Sequence, residues 1–265
     1  MSLHLLQETE WLYAPDVPYA QRESGPLKLQ LIFPYRQDMP RSERYPVALF
    51  VPGAAWYRQE MYNGVPQWAK LAEMGVVVAA VQVRSSQEAA FPAQTEDLLA
   101  AMQHLARDAE KWHIDPNRMY LFGQSSGGHI ALLTLLTRLQ EIAEAPDYTL
   151  RGLIALSAPT DMRLCGGQPS LDLLGLRSLE EDPAKVEAAS CASYITSGAP
   201  LPRILIIHGT ADDVVPPEHS ERLYRQLLSV HQRAEYLRVG GAGHGGLWPW
   251  REPLLQRVMR FIREG

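Results

Sequence analysis

Residues 121–133 read LFGQSSGGHIALL, and this stretch decides the fold of the 265-residue chain. An apolar run ends at Gly123, two serines follow between glycines, and the apolar run resumes at Ile130. A core strand does not end this way, and a solvent loop does not run straight into Ile130, Ala131, Leu132 and Leu133. The pattern predicts a buried strand, a tight bend and a buried helix, with Ser125 on the bend. Gly123 and Gly127 lack Cβ atoms, so the two elements can close tightly around a strained serine.

Working outward, the rest of the chain repeats the strand half of this unit. Short apolar bursts occur at 46–51 (PVALFV), 76–81 (VVVAAV), 119–122 (MYLF), 153–157 (LIALS), 204–209 (ILIIHG) and 234–239 (AEYLRV). Most are unbroken, as strands covered on both faces should be. Helical spacing lies between them, over 65–74, 95–112, 128–139, 218–228 and 249–262. Alternating strand and helix predicts an α/β fold, a mostly parallel central sheet with helices on both faces. LKLQLIFP (27–34) is expected to be an antiparallel edge strand. Residues 161 to about 200 break the rhythm, being rich in Gly, Pro and Ser, and predict a small helical cap over the carboxyl edge of the sheet. The whole is expected to be one domain, 1–265, with that insertion.

Composition removes other classes. With 46% hydrophobic and 21% charged residues the chain can bury a large core. A net charge of −5 with scattered basic residues is no footprint for nucleic acid or an anionic membrane. No apolar run has the length of a transmembrane helix. The opening MSLHLLQETEW lacks the parts of a secretion signal, and two cysteines do not make a disulfide framework. A cytoplasmic protein is expected.

Ligands in an open parallel sheet sit beyond the carboxyl ends of the strands, where the Gly-Gln-Ser-Ser-Gly bend lies. A serine hydroxyl attacks well only when a base takes its proton and a third group orients that base. Of eight histidines, His244 lies in a glycine-rich loop, GGAGHGG, after the last strand. HGTADDVVPPEHS carries Asp212 and Asp213 on a turn after another strand. Six others read as structural: His208 bonded to backbone or the acid loop, His129 in the core, and His104, His113, His219 and His231 on polar helical faces. No pair has metal-ligand spacing, and neither metal nor cofactor is expected.

In these motifs the chain resembles the α/β-hydrolase fold serine esterases. More narrowly, it resembles the branch shared by small carboxylesterases, acetylxylan and feruloyl esterases and kynurenine formamidases. VPGAAW (51–56), FPAQTEDLLAAMQHL (91–105), IDPNRMYLFGQSSGGHIALL (114–133), IIHGTADDVVPPEHS (206–220) and GAGHGG (241–246) carry the likeness. The resemblance implies a triad of Ser125, Asp212 and His244, in that chain order. It also implies an oxyanion hole from the amides of Ser126 and of Ala54, with Ala55 second. It makes Asp97 and Arg118 structural. The chain departs from the family's His-Gly-Gly-Gly-Trp-like loop, reading Pro52-Gly53-Ala54-Ala55-Trp56. The methyls of Ala54 and Ala55 should narrow the acyl space, and Ala55, Trp56, Tyr57 and Tyr62 are candidate walls for the substrate. Asp161 is expected to cap the start of the lid.

The expected substrate is a small carboxylic ester with a short acyl group. Two alternatives stand beside it: an amidase, such as an arylformamidase or aminopeptidase-like hydrolase, and a hydrolase-fold binding protein without catalysis. A homodimer is left open.

Overall fold

A computed structural model describes residues 9–198 and 200–264. Most of the opening stretch, residues 1–8, lies outside the described residues. The chain order is β1 (Glu10–Arg22), β2 (Gly25–Tyr35), β3 (Tyr45–Val51), α1 (Val65–Glu73), β4 (Val77–Val81), α2 (Ala93–Arg107), β5 (Ile114–Gln124) and α3 (Ser126–Thr137). Then follow α4 (Leu139–Ala143), β6 (Leu150–Leu156), α5 (Gln168–Leu174), α6 (Pro183–Ala188), β7 (Arg203–Gly209), α7 (Glu218–Ser229), β8 (Ala234–Val239) and α8 (Glu252–Arg263).

The strands form one sheet in the order β1-β2-β4-β3-β5-β6-β7-β8. Pairings β1–β2 and β2–β4 are antiparallel, and every other neighbour is parallel. The α/β class expected from the sequence is the one the chain adopts.

The unbroken apolar runs follow from what covers the sheet. Alternate residues of each central strand serve opposite cores. Val47, Leu49, Met119, Leu121, Leu153, Ile204 and Ile206 pack with Leu98 and Met102 of α2, Ile130 of α3 and Leu223 of α7. Ala48, Phe50, Tyr120, Phe122, Ile154, Leu205 and Ile207 pack with Trp68 and Leu71 of α1 and Leu254, Val258 and Phe261 of α8. Because neither face meets water, both register positions are mainly apolar along the middle of each central strand.

The edge expectation needs correction. The 27–34 segment is antiparallel, but it lies second in the sheet, and β1 forms the edge. β1 contains Pro15 and Pro18, has register shifts between Ala14 and Val17 and between Pro18 and Ala20, and puts Asp16 at φ 55°. An edge strand tolerates prolines because one row of its amides needs no partner. Helix bounds shift as well: α2 runs Ala93–Arg107 rather than 95–112, α3 Ser126–Thr137 rather than 128–139, and α8 starts at Glu252 after a one-turn 3-10 helix, Trp248–Trp250.

Between β6 and β7 the chain carries two 3-10 turns, Met162–Leu164 and Cys191–Tyr194, with α5 and α6 between them. Asp161 caps the first of these, accepting the Arg163 amide at 3.1 Å, the role expected of it. No helix among the described residues is long and apolar enough to cross a membrane.

Candidate active site

β5 ends at Gln124 and α3 starts at Ser126, so a single residue, Ser125, makes the bend. It sits at φ 54°, ψ −127°, a region that costs an L residue of order 1–3 kcal/mol. The surrounding glycines are required. A Cβ on Gly123 would lie 2.3 Å from the Gly127 oxygen, and one on Gly127 would lie 2.0 Å from the Val51 oxygen. Strand, helix and the neighbouring β3 end therefore meet backbone to backbone, and the Ser125 side chain is thrust out over the sheet edge.

Three elements far apart in sequence supply its partners. The Ser125 hydroxyl lies 2.9 Å from His244 Nε2, and His244 Nδ1 lies 2.9 Å from Asp212 Oδ2 and 3.1 Å from Oδ1. Asp212 is buried, and its Oδ1 also accepts the amides of Val214 at 3.1 Å and Val215 at 2.9 Å. Burial pushes the Asp212 carboxyl pKa up, but the bonds from His244 and the Val215 amide outweigh it and hold the group below its ordinary value. Asp212 is thus an anion facing an imidazole, and it directs the His244 Nδ1 proton to itself. Nε2 is left to accept from the serine. Chemically, this chain of bonds can draw a proton off Ser125 as its oxygen attacks.

The 52–57 loop comes beside the bend. Ala55 and Trp56 both have positive φ, 49° and 61°. The Ala54 amide is not open: it donates to Ser126 Oγ at 3.0 Å. The amides of Ala55 and Ser126 have no acceptor among the described residues. A cavity of about 410 Å³ opens from Ser125 and Ser126, walled by Ala55, Trp56, Pro159, Leu164, Pro169 and Val214 among others. A cleft of about 490 Å³ between α1 and α8, lined by Lys70, Glu73 and Arg251, is larger but does not reach Ser125.

A match to the BD-FAE family model covers residues 35–227. The chain belongs to the BD-FAE family. The matched span takes in Ser125 and Asp212 and ends before His244. Among curated proteins, the chain is 27% identical over 247 residues to a probable isoprenylcysteine alpha-carbonyl methylesterase of Oryza sativa subsp. japonica, covering 82% of this chain and 56% of that protein. It is 27% identical over 226 residues to Esterase LipC of Mycobacterium tuberculosis, covering 79% and 55%. The chain thus spans about half the length of the curated relatives it matches. Among solved structures, a truncated carbohydrate esterase from gut microbiota superposes with TM-score 0.81 at 24% identity, over 100% of this chain and 99% of that one. Thermogutta terrifontis esterase 2, phosphoramylated by tabun, gives 0.70 at 22%, over 98% and 94%. These likenesses establish the α/β-hydrolase fold.

In this BD-FAE chain the loop that lost its leading histidine is held by residues that sequence reasoning did not assign to it. Buried Gln59 donates to the Pro52 carbonyl at 3.1 Å and accepts the Val83 amide at 2.8 Å. The Trp56 indole N–H donates to His129 Nδ1 at 3.0 Å, and the His129 Nε2–H donates to the Ala189 carbonyl at 2.8 Å. Indole can only donate, so the His129 tautomer follows from its partners. One imidazole on α3 therefore ties the loop to the end of the cap, beyond the core role expected of it.

Other expectations change. Tyr57 does not line the cavity; its hydroxyl donates to Asp172 Oδ2 at 2.6 Å, while Gln168 donates to Oδ1 at 2.6 Å, latching the loop to α5. Tyr62 turns away to Asp16, 2.8 Å distant. His219 is not on a polar face: it is buried, its Nδ1 accepts the Thr160 amide at 3.1 Å, and it borders the cavity. Its helix packs under the cap, so a polar side chain there needs an internal partner. His113 and His231 lie in turns at φ 54° and 60°, while His104 sits within α2, half-buried. His208 is buried, with Nδ1 at 2.7 Å from Ser220 Oγ and Nε2 at 2.9 Å from the Val215 oxygen, so it braces the acid turn as expected. Asp97 is structural, paired with Arg22 at 2.8 Å and Arg84 at 2.9 Å.

Full burial holds the His129 pKa down to about 4 against the pull of its bond to Ala189. The unfolded chain, with an ordinary value of 6.5, takes up this proton first as pH falls. Stability from His129 is therefore complete above pH 6.5 and lost as pH drops toward 4, by roughly 3 kcal/mol. Urea unfolding at pH 7 and pH 4.5 should show wild type losing its advantage over His129→Gln on acidification. An unchanged difference would mean that His129 is not held neutral by the fold.

Proposed function

We propose that this chain hydrolyses small carboxylic esters through an acyl-enzyme. Ser125 Oγ bonds to the ester carbonyl carbon, the carbonyl electron pair moves to oxygen, and the serine proton goes to His244 Nε2. His244 then returns that proton to the departing alcohol oxygen as the carbon–oxygen bond breaks. Water repeats the sequence to free the acid. Asp212 holds the imidazole and balances its charge, and the Ser126 and Ala55 amides face the developing oxyanion. The observation that carries the reading is the unbroken bond chain Ser125–His244–Asp212 at 2.9 Å per link beside a 410 Å³ cavity. The relatives, an esterase and a probable methylesterase, point the same way.

The acyl group is short, from acetyl to about butyryl. The Ala55 methyl and the buried Trp56 stand at the cavity wall, with Pro169 and Ser170 of α5 also lining it. Long-chain sites need a broader apolar trough. The test is kcat/KM across p-nitrophenyl acetate, butyrate and decanoate, with at least about a tenfold fall expected from butyrate to decanoate; a faster decanoate overturns the preference. The two free cysteines, Cys165 and Cys191, suit a reducing cytosol, which cell fractionation would check.

A further inference from the structure

We infer that the Ser126 side chain, and not only its amide, is a donor to the oxyanion, carrying the Ala54 amide's contribution through its hydroxyl. The inference rests on the esterase reading above. Three observations support it. The Ala54 N–H donates to Ser126 Oγ at 3.0 Å, so the amide that the loop would offer a substrate is already spent on this oxygen. Ser126 is 2% exposed yet borders the cavity beside the nucleophile. Its own hydroxyl proton has no acceptor among the described residues.

A buried hydroxyl that accepts one bond and gives none is an unmatched donor, and such donors are destabilising unless something accepts from them. What arrives in this cavity with a spare lone pair is the ester carbonyl oxygen, which gains a full negative charge on attack. Accepting from Ala54 polarises the Ser126 O–H and strengthens what it donates. Ala54 N–H, Ser126 Oγ–H and oxyanion then form one chain, joined by the Ser126 and Ala55 amides.

In the attack step the bond from Ser125 Oγ to carbon forms, the proton passes to His244 Nε2, and the carbonyl electron pair moved onto oxygen is met by the hydroxyl. An aryl trifluoromethyl ketone stops there, since its hemiketal alkoxide has no leaving group. This makes it a probe of oxyanion stabilisation separate from turnover.

The experiment measures p-nitrophenyl acetate kinetics and the ketone inhibition constant for wild type, Ser126→Ala and Ser126→Cys. Loss of one oxyanion donor costs on the order of 10²-fold in kcat, so Ser126→Ala should lose about that much, with KM within about twofold. The ketone should weaken by a comparable factor. Cysteine keeps the side-chain shape with only a weak donor, so Ser126→Cys should fall with the alanine variant. Three results overturn the inference: Ser126→Ala as fast as wild type or faster, a fall in kcat with ketone binding unchanged, or full activity in Ser126→Cys. Wild type that neither turns over the ester nor binds the ketone would instead remove the esterase reading itself.

Discussion

Replacing Ser125 by alanine is expected to lower kcat for p-nitrophenyl acetate by on the order of 10⁴-fold or more, with the fold intact. The size follows from what the hydroxyl alone supplies. Without it no acyl-enzyme forms, and water must be activated by groups placed for a different nucleophile. The fold should survive because the hydroxyl's bond is to His244, while the bend is made by backbone: the Ser125 amide donates to the Leu156 carbonyl at 2.8 Å, and its oxygen accepts the His129 amide at 3.1 Å. Alanine keeps both and inherits the same φ. Stopped-flow and steady-state assays on Ser125→Ala and Ser126→Ala separate the two serines. The elbow is misassigned if the second variant is the dead one and the first turns over normally.

That prediction could be written from the sequence because the elbow announces itself twice, through glycines that permit backbone contact and through apolar runs on either side. Central strands are legible for the same reason: with both faces buried, each residue carries the hydrophobic signal. β1 shows where this stops. Its exposed side, two prolines and register shifts leave neither alternation nor an apolar run, and only the pairing with β2 makes it a strand. Tertiary contact, not local preference, decides such an edge.

The bracing around the site was less legible than its chemistry. The histidine missing before Gly53 raised the question of what supports the loop. Its support comes from Gln59, three residues past the loop's tryptophan, and from His129, seventy-three residues past it. A glutamine in a loop and a histidine on a buried helix carry no periodic signal and read equally well as solvent-facing and core residues. Tyr57 misled because an aromatic beside a catalytic loop suggests a substrate wall, whereas its hydroxyl finds Asp172 on the cap. His219 misled through polar neighbours on its helix, since only the cap's position makes that face interior. In each case the deciding partner is a residue the chain brings in from another element.

The adjacent acids Asp212 and Asp213 make the second large prediction. Neighbouring side chains on a turn point apart, so only one can face the imidazole, and two carboxylates on one imidazole would raise each other's pKa. The structure turns Asp212 inward, onto His244 Nδ1, the Val214 and Val215 amides and, at 3.2 Å, His208 Nε2. Burial pulls the His208 pKa down, leaving that ring neutral and its N–H a donor rather than a competing charge. Asp213 is exposed. Asp212→Asn keeps the shape but removes the anion, and an amide nitrogen turned toward His244 would favour the tautomer with its proton on Nε2. That imidazole cannot accept from Ser125. A fall of roughly 10³- to 10⁴-fold in kcat is expected. Asp213→Asn should cost less than about tenfold, through the turn's stability alone. The pH profile adds a second reading. Because the folded Asp212 carboxyl sits below its ordinary value, the anion persists as pH falls through the range where free carboxylates protonate, so wild-type activity at pH 5 should not be limited by this group. Measuring kcat for both asparagine variants at pH 7.5 decides the assignment, and a larger loss for Asp213→Asn moves the acid to Asp213.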